Sequence, residues 1–290
     1  MKTKSKFFLF FIFAGFTNLS FAAIDQSKGS FEDKFRQLDE VFPSPNLSRP
    51  ATGEPGPMYW QQRADYKIQI KLNEDTRSVE GSETITYTNN SPLTLKYIWL
   101  QLDQNIFAKE SINNLTRPWG GGDSSVDFST LRRQNFMDKF EGGFQELSIK
   151  INNKSPDTNL VGTHVRINLE QPLKPGESTS LDIEWAYALV EENAVRARNG
   201  YETFEDGNDI FLMAQWYPRV TVFSDYEGWH NKEFIGNGEF TLEFGDFEVD
   251  ISVPSDHVVS ATGVLLNEND VLNPIQKKRM KQARKSEKPI

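Results

Sequence analysis

Apolar and polar positions alternate along much of this chain with a period of two, which is typical of half-buried β-strands. Residues 66–72 show the pattern, since Tyr66 and the apolar residues after it alternate with Lys67, Gln69 and Lys71. Further strands are predicted at 79–88, 93–102, 147–151, 164–169 and 181–187. Short alternating segments with turns between them predict an all-β fold, a saddle-like or sandwich antiparallel β domain.

The segment 93–102 differs from the others because apolar side chains occupy both of its faces. Leu95, Tyr97 and Trp99 share one phase, and Ile98, Leu100 and Leu102 share the other. A strand that is apolar on both faces belongs inside a sheet that is covered on both sides.

The period slips by one residue near the end of the alternating region. Apolar residues of 240–244 share one phase, those of 247–253 share the opposite one, and Gly245-Asp246 lies between them. The slip predicts a bulge or tight turn that re-aims the strand. A final strand is predicted at 258–266.

Two regions lack the alternation. Residues 103–146 form a long irregular insertion with a short helix predicted at 131–140. Residues 274–285 predict a helix, and the tail 273–290 carries seven Lys or Arg against one Glu. The interpretation favoured for this charge is a solvated helix face, and a docking tail is the alternative.

The first 22 residues have the features of a secretory signal. Lys2, Lys4 and Lys6 precede an apolar run of about ten residues and the small-x-small sequence Ser20-Phe21-Ala22. The run is shorter than the roughly 20 residues of a membrane span. We therefore predict cleavage near Ala22 and a periplasmic or extracellular protein with no stable membrane span, a retained anchor being the alternative.

The residues that follow predict a linker and then one β domain. Residues 23–57 are dense in Pro, Gly and Ser, with a short helix predicted at 31–38. The predicted organisation is a signal peptide at 1–22, a linker at 23–57, a β domain at 58–272 and a basic tail at 273–290.

Charge and cysteine content exclude several classes of function. The net charge is −9, and cleavage after Ala22 would make it more negative by removing three lysines. Nucleic acid and anionic membranes are therefore not expected as partners. The chain has no cysteine, which excludes thiolate metal sites and cysteine nucleophiles. Its 36 aromatic residues (22 Phe, 8 Tyr and 6 Trp) are predicted to fill a core that has no disulfides.

Motifs for independent catalysis are missing from the sequence. His164, His230 and His257 lie far apart, and no His-Glu-x-x-His occurs, so a zinc site is not predicted. The acidic run 205–209 lacks the spacing of a calcium loop, and Gly120-Gly121-Gly122 does not join a strand to a helix. No Gly-x-Ser-x-Gly elbow is present.

The strongest candidate for binding is the tip of an apolar run that begins at Phe211. The run is predicted to be a strand that ends in Gln215-Trp216-Tyr217-Pro218-Arg219. Buried strands usually end in small turn residues, whereas this one ends in groups that can contact a ligand.

Six segments together resemble the N-terminal domain of the aminopeptidase N family of zinc metallopeptidases, in a bacterial exported branch. They are 59–66, 81–91, 97–104, 215–219, 236–240 and 245–247. The resemblance implies a β-saddle that packs against a thermolysin-like catalytic domain. It also implies that a Gly-x-Met-Glu-Asn motif and a His-Glu-x-x-His zinc helix belong to that domain, and neither motif is present here.

The resemblance implies a role for the strand tip in substrate binding. In the family a Gln-x-Glu or Gln-x-Gln segment lines the pocket and helps to hold the free amine of the peptide. Gln215 matches the first position, and Tyr217, with Trp216 beside it, departs from the pattern because a phenol offers no carboxylate to an ammonium group. The implied partners are a peptide N-terminus and the catalytic domain, and the implied cofactor is zinc held outside this chain.

Two hypotheses remain open at this stage. The first is a substrate-lining domain of a zinc aminopeptidase that is inactive alone, with an exposed apolar face. The second is a stand-alone exported β-sandwich that binds peptides or glycans. A third interpretation, a scaffold protein, has no specific support in the sequence.

Overall fold

The computed structural model describes residues 45–116, 125–195, 197–236 and 241–289. The predicted signal segment, the helix at 31–38 and the glycines at 120–122 lie outside these residues. Two compact units divide the chain, one up to Ser252 and one from Val253 to Ile290.

Strands dominate the described chain, as an all-β fold requires, and thirteen are present in the ranges above. They are β1 (Arg63–Asn73), β2 (Ser78–Thr88), β3 (Leu95–Gln101), β4 (Phe144–Lys150), β5 (Thr158–Val161), β6 (His164–Leu173), β7 (Ser178–Ala188), β8 (Gly200–Thr203), β9 (Asp209–Leu212), β10 (Arg219–Val220), β11 (Phe223–Ser224), β12 (Gly228–Trp229) and β13 (Phe247–Ser252). The first four, the sixth, the seventh and β13 fall where alternation predicts them, whereas β5 was not predicted.

A five-stranded sheet forms the larger layer, in the order β13-β1-β2-β7-β4. Its strands pair antiparallel except for β13, which runs parallel to β1. The alternation predicted for β1 is confirmed, because Tyr66, Ile68 and Ile70 are buried while Lys67 and Gln69 are exposed. One face of the sheet therefore contributes to the core and the other faces water.

A four-stranded antiparallel sheet forms the second layer, in the order β10-β3-β6-β5. β3 lies inside this sheet, with strands on both sides of it. Ile98 and Leu100 on one face are fully buried, whereas Tyr97 and Trp99 on the other face are half-buried, so the predicted cover on both faces is only partial. The two sheets are joined in the core where the backbone N–H of Val220 donates to the Tyr66 hydroxyl over 3.0 Å. Two short hairpins, β8-β9 and β11-β12, complete the strands of the described chain.

The period slip at Gly245 coincides with a close approach between two chain segments. A Cβ atom at this position would lie 1.6 Å from the Ala64 carbonyl oxygen, so only glycine fits. Backbone N–H groups of Ala64 and Tyr66 donate to Phe244 and Asp246 on either side. The turn thus delivers β13 to the edge of the large sheet beside β1.

Helices are short in the described residues. A 3-10 helix spans Asp103–Phe107, and the α-helices are α1 (Ile112–Thr116), α2 (Phe128–Met137), α3 (Glu192–Val195), α4 (Glu268–Val271) and α5 (Pro274–Ala283). The insertion helix begins earlier than predicted because Asp127 caps it, its carboxylate accepting from the Thr130 N–H. The basic C-terminal helix is confirmed, with a capping box formed by Asn273 and Gln276. No described helix combines the length and the apolar content needed to cross a membrane.

Three strand predictions are wrong. Residues 258–266 contain no strand, and the described residues 241–244 form only an isolated bridge between Phe244 and Arg63. The strand predicted to reach Gln215 ends at Leu212. Alternation favours a strand only where a neighbouring strand supplies a run of hydrogen bonds, and the described residues 241–244 share only the one from Ala64 to Phe244 with β1.

The described part of the predicted linker is held against the β domain at one point. The Arg49 guanidinium donates to both carboxylate oxygens of Asp225, at 3.1 and 2.8 Å. The guanidinium also lies about 5 Å from the ring centres of Tyr59 and Tyr226 and makes a cation–π contact with each ring. These contacts fix the entry of the chain into β1.

Candidate functional site

The predicted strand tip is a loop in the structure. Residues 213–218, here called the Gln215 loop, connect β9 to β10 without regular secondary structure. Gln215 has a φ of 53°, in the left-handed region that costs a residue with a side chain about 1–2 kcal/mol. Backbone strain of this kind persists only where surrounding contacts hold it.

A buried amide supplies those contacts. The Gln104 side chain donates to the carbonyl oxygens of Ala214 and Gln215, at 3.2 and 2.9 Å. Its own oxygen accepts from the Asn199 amide at 2.9 Å, and both amide side chains are almost fully buried. Because the bonds go to backbone carbonyls, they fix the path of the Gln215 loop and leave the Gln215 side chain available.

The three predicted site residues remain together in this loop. Gln215 is half-buried, and its side-chain amide makes no hydrogen bond with the described residues. The Trp216 and Tyr217 rings lie 4.8 Å apart edge to face, and both are half-buried. The amide can therefore donate to or accept from a ligand at the surface beside two aromatic rings.

A buried ion pair ends the loop. The Arg219 guanidinium lies 2.5 Å from the Asp103 carboxylate, at the start of β10. Burial raises the pKa of Asp103 to about 6, against the opposing effect of Arg219. The pair pins the loop to the 3-10 helix, since separating it would leave a buried charge without its partner.

Aromatic rings from four elements converge beneath the loop. Tyr66 of β1 stacks on Phe247 of β13 at 4.7 Å and meets Tyr217 edge to face at 5.5 Å. Trp185 of β7 lies 6.1 Å from Trp216. These five side chains, called the aromatic cluster below, join both edges of the loop to the core face of the large sheet.

Glu83 of β2 lies in the same layer, and the sequence reasoning did not single it out. It is 4% exposed, and neither carboxylate oxygen has a hydrogen-bond partner among the described residues. Its charge acts to raise the pKa of both Tyr66 and Tyr217, which places it near both phenols. A signal was available: Glu83 falls in phase with the apolar residues Val79 and Ile85, where a carboxylate is out of place.

The histidines are not brought together as metal ligands. His164 is buried on β6 against the Trp99 ring, and burial lowers its pKa to about 4. His230 meets the Ser224 hydroxyl at 2.8 Å, and His257 belongs to the second unit. In the described residues up to Ser252, no three His, Asp or Glu side chains converge closely enough to hold a metal ion.

A shallow polar trough of about 470 Å³ lies on the water-facing side of the large sheet. Its lining includes the hydroxyl residues Ser82, Thr84 and Ser148, the charged residues Lys67 and Asp182, and Glu83 of β2. No aromatic ring lines it, so it lacks the stacking surface that the Gln215 loop offers.

Comparisons with known proteins find similarity only among solved structures. No protein-family model and no curated protein matches the sequence. Similar structures include an M1 zinc metallopeptidase from Deinococcus radiodurans bound to a Tyr-Ser-Ala substrate, with 14% identity and a TM-score of 0.38. The alignment covers 74% of this chain and 38% of that one.

A second similar structure is the same organism's M1 zinc metallopeptidase without that substrate. Identity is 14%, the TM-score is 0.36, and 72% of this chain and 36% of the other are covered. A two-domain M1 zinc metallopeptidase bound to L-tryptophan has 14% sequence identity to this chain and a TM-score of 0.37. The alignment covers 73% of this chain and 37% of that one. The present chain thus spans less than two fifths of the length of these proteins.

Proposed function

We propose that this chain provides the substrate-lining domain of a zinc-dependent aminopeptidase, in which Gln215 helps to hold the free amine of a peptide. The observation that carries the proposal is the Gln215 loop itself. A strained residue is held by its backbone, its amide is left without a hydrogen bond to the described residues, and aromatic rings lie beside it. Backbone strain with a free polar group is typical of a ligand-binding position.

In this proposal the zinc of the enzyme belongs to a part of the protein other than the domain that ends at Ser252. Up to Ser252 the described residues offer no set of three ligands, and the sequence has no His-Glu-x-x-His. We therefore assign this chain no step in hydrolysis and expect it to bind without turnover. The exported location and the β-domain boundaries at 58 and 272 are parts of the same proposal.

Exposed apolar surface supports a domain that packs against a partner. Phe247, Val249 and Ile251 of β13 continue the core-facing rows of β1, yet they are 49, 38 and 41% exposed. A stand-alone binding module would cover such a row, because contiguous exposed apolar surface promotes association.

Ligand titration of the purified chain tests the proposal. L-leucinamide should quench or shift tryptophan fluorescence with a dissociation constant on the order of 1 mM, about −4 kcal/mol. N-acetyl-leucinamide should bind at least about tenfold more weakly, since acetylation removes the charge that the amine carries. Gln215→Ala should weaken leucinamide binding, and Gln145→Ala on the exposed edge strand β4 is the matched control.

Three outcomes would contradict the proposal. Equal binding of the acetylated ligand, or binding of oligosaccharides with none of leucinamide, favours a stand-alone peptide or glycan module. Zinc-dependent cleavage of leucine anilide by this chain alone would overturn the assignment of the zinc to another part of the protein.

A further inference from the structure

Glu83 is a buried carboxylate that the fold does not use. Its two oxygens lack hydrogen bonds within the described residues, although about nine in ten buried polar groups in proteins are paired. In register it lies between Ile68 of β1 and Ile183 of β7 on the core face, where a leucine would pack equally well. A group that costs free energy to bury and stabilises nothing calls for a ligand.

A second unpaired group lies in the same layer. The Trp185 indole N–H is buried and has no acceptor among the described residues. Gly81, two residues before Glu83 and on the same face, makes room for this indole: a Cβ there would lie 2.1 Å from its ring. The layer thus holds an acceptor without a donor and a donor without an acceptor.

The surroundings of Glu83 favour an organic cation. Tyr66 pairs with Ile85, the next core-facing residue after Glu83 on β2, and the Tyr217 ring lies 5.5 Å from the Tyr66 ring. The Trp216 ring packs on Tyr217. Aromatic faces beside a carboxylate attract ammonium groups through cation–π and ionic contacts together. A metal ion is a poorer match, because Glu83 has no second carboxylate or histidine beside it among the described residues.

We propose that Glu83 is the anionic anchor of a site for a primary ammonium group, formed with Tyr66 and Tyr217 beneath the Gln215 loop. The ammonium donates to the Glu83 carboxylate, and a carbonyl two bonds away from it on the ligand accepts from Trp185. An α-amino acyl group carries both functions at that spacing. The inference rests on the proposed function and supplies the negative charge that Tyr217 cannot.

The proposed site places the entry of the ligand at Tyr217, because Tyr66 is buried whereas Tyr217 is half-buried and lies in a loop without regular secondary structure. A ligand that enters there has to displace the Tyr217 ring from its contacts with Tyr66, Trp216 and Phe247. The Gln104 hydrogen bonds hold the loop backbone meanwhile.

Three small molecules and three variants of the full chain test the site. The probes are L-leucinamide, 4-methylpentanamide without the amine, and 3-methylbutylamine without the carbonyl. Glu83→Gln should lower the affinity for leucinamide and for 3-methylbutylamine at least tenfold and leave the affinity for 4-methylpentanamide unchanged. Glu83→Asp keeps the charge on a side chain that is one methylene shorter. It should lower the affinity for both amines less than Glu83→Gln does. Glu80→Gln, on the exposed face of the same strand, should change nothing.

The pH profile separates binding from a structural role. Burial raises the pKa of Glu83, and the groups around it are the two neutral phenols, with Arg219 coupled to both. Leucinamide binding to the native chain should strengthen as pH rises and Glu83 ionises, until the amine itself loses its proton. Glu83→Gln should abolish this rise while its circular dichroism and melting temperature are retained or improved.

Each remaining outcome has one meaning. If the native chain binds leucinamide and Gln215→Ala weakens it, while Glu83→Gln binds with unchanged affinity and pH profile, the Glu83 site is wrong and the proposed function stands. If the native chain prefers neither amine over 4-methylpentanamide, the proposed function fails and the site fails with it.

Discussion

Gln215 is the residue where strain and the proposed binding role meet, and the two can be separated by substitution. Gln215→Ala removes the amide and keeps a Cβ at a φ of 53°, whereas Gln215→Gly removes both. The glycine variant should be more stable than the alanine variant by about 1 kcal/mol, because glycine tolerates the left-handed region. Urea unfolding measures the difference.

A matched pair of variants, Gly and Ala at one position of β1, should show the opposite order of stability. At the exposed position Gln69 the backbone is extended, so Gly should be less stable than Ala by about 0.5–1 kcal/mol. Equal stabilities of Gly and Ala at 215 would show that the loop carries no strain.

The sequence predicts which residues belong to the candidate site better than it predicts the contacts that hold them in place. Gln215, Trp216 and Tyr217 are adjacent in the chain, so their proximity was assured, and their roles stay predictions. Their loop conformation depends on Gln104, which is 111 residues away and could not be paired with them by periodicity. For Glu83, the sequence shows that it shares the phase of the apolar residues of β2. It does not show that the carboxylate lacks a hydrogen-bond partner among the described residues.

At the scale of elements, the pairing of β2 with β7 depends on a glycine. Gly81 faces Trp185 directly in the register, and the indole occupies the space of the missing Cβ. Gly81→Ala should therefore destabilise the fold by about 1–3 kcal/mol through overpacking. Denaturant unfolding tests this, with Ser82→Ala on the opposite face expected within about 0.5 kcal/mol of the native chain.

A stability loss for Gly81→Ala no larger than that of the control would show that Trp185 repacks freely. The tryptophan fluorescence of the folded variant should reveal such repacking. In that case the indole N–H would not be a fixed part of the proposed site either.

The segment that leads into β13 makes the stability of the fold depend on pH. Burial raises the pKa of Glu243 from its ordinary 4.5 to about 7, although its carboxylate accepts from the Phe223 N–H. The folded chain therefore holds a proton that the unfolded chain releases near pH 4.5. This contribution to stability is complete below that pH and is lost as pH rises to about 7, at a cost on the order of 3 kcal/mol.

Glu243→Gln should reduce this loss, because the amide keeps an acceptor for Phe223 and cannot ionise. Unfolding free energies at pH 5 and pH 8 check the prediction, and a fall remains in the variant from Asp103, whose pKa is raised to about 6, and from Glu83, whose pKa burial also raises. An unchanged difference between the two pH values would contradict it. Leu242→Gln, at an exposed neighbouring position, is the control.

Strands that alternate and have partners on both sides were predictable, and strands defined by distant pairing were not. β1, β2 and β7 follow the period of two because one face is core and the other is water. The parallel pairing of β13 with β1 joins residues about 180 positions apart, and no local pattern encodes it. The same reason explains why residues 258–266 alternate without forming a strand.

At the scale of the whole molecule, the apolar row of β13 is the feature most relevant to a partner. Val249 is aligned with the buried Ile68 of β1, so its side chain extends the core face onto the edge strand of the sheet. Val249→Lys should lower the fluorescence of a dye that binds apolar surface and reduce self-association in sedimentation velocity. Ser252→Lys adds the same charge to the water-facing side of the strand and should change neither signal.

The two variants together discriminate surface chemistry from net charge. The chain carries a net charge of −9, so any added lysine brings it closer to neutrality, which by itself favours association. A decrease in association for Val249→Lys, set against none for Ser252→Lys, can therefore come only from the loss of the apolar row. Equal behaviour of the two variants would show that this row is too small to bind a partner, and the proposal of a domain that packs against a catalytic partner would lose its structural support.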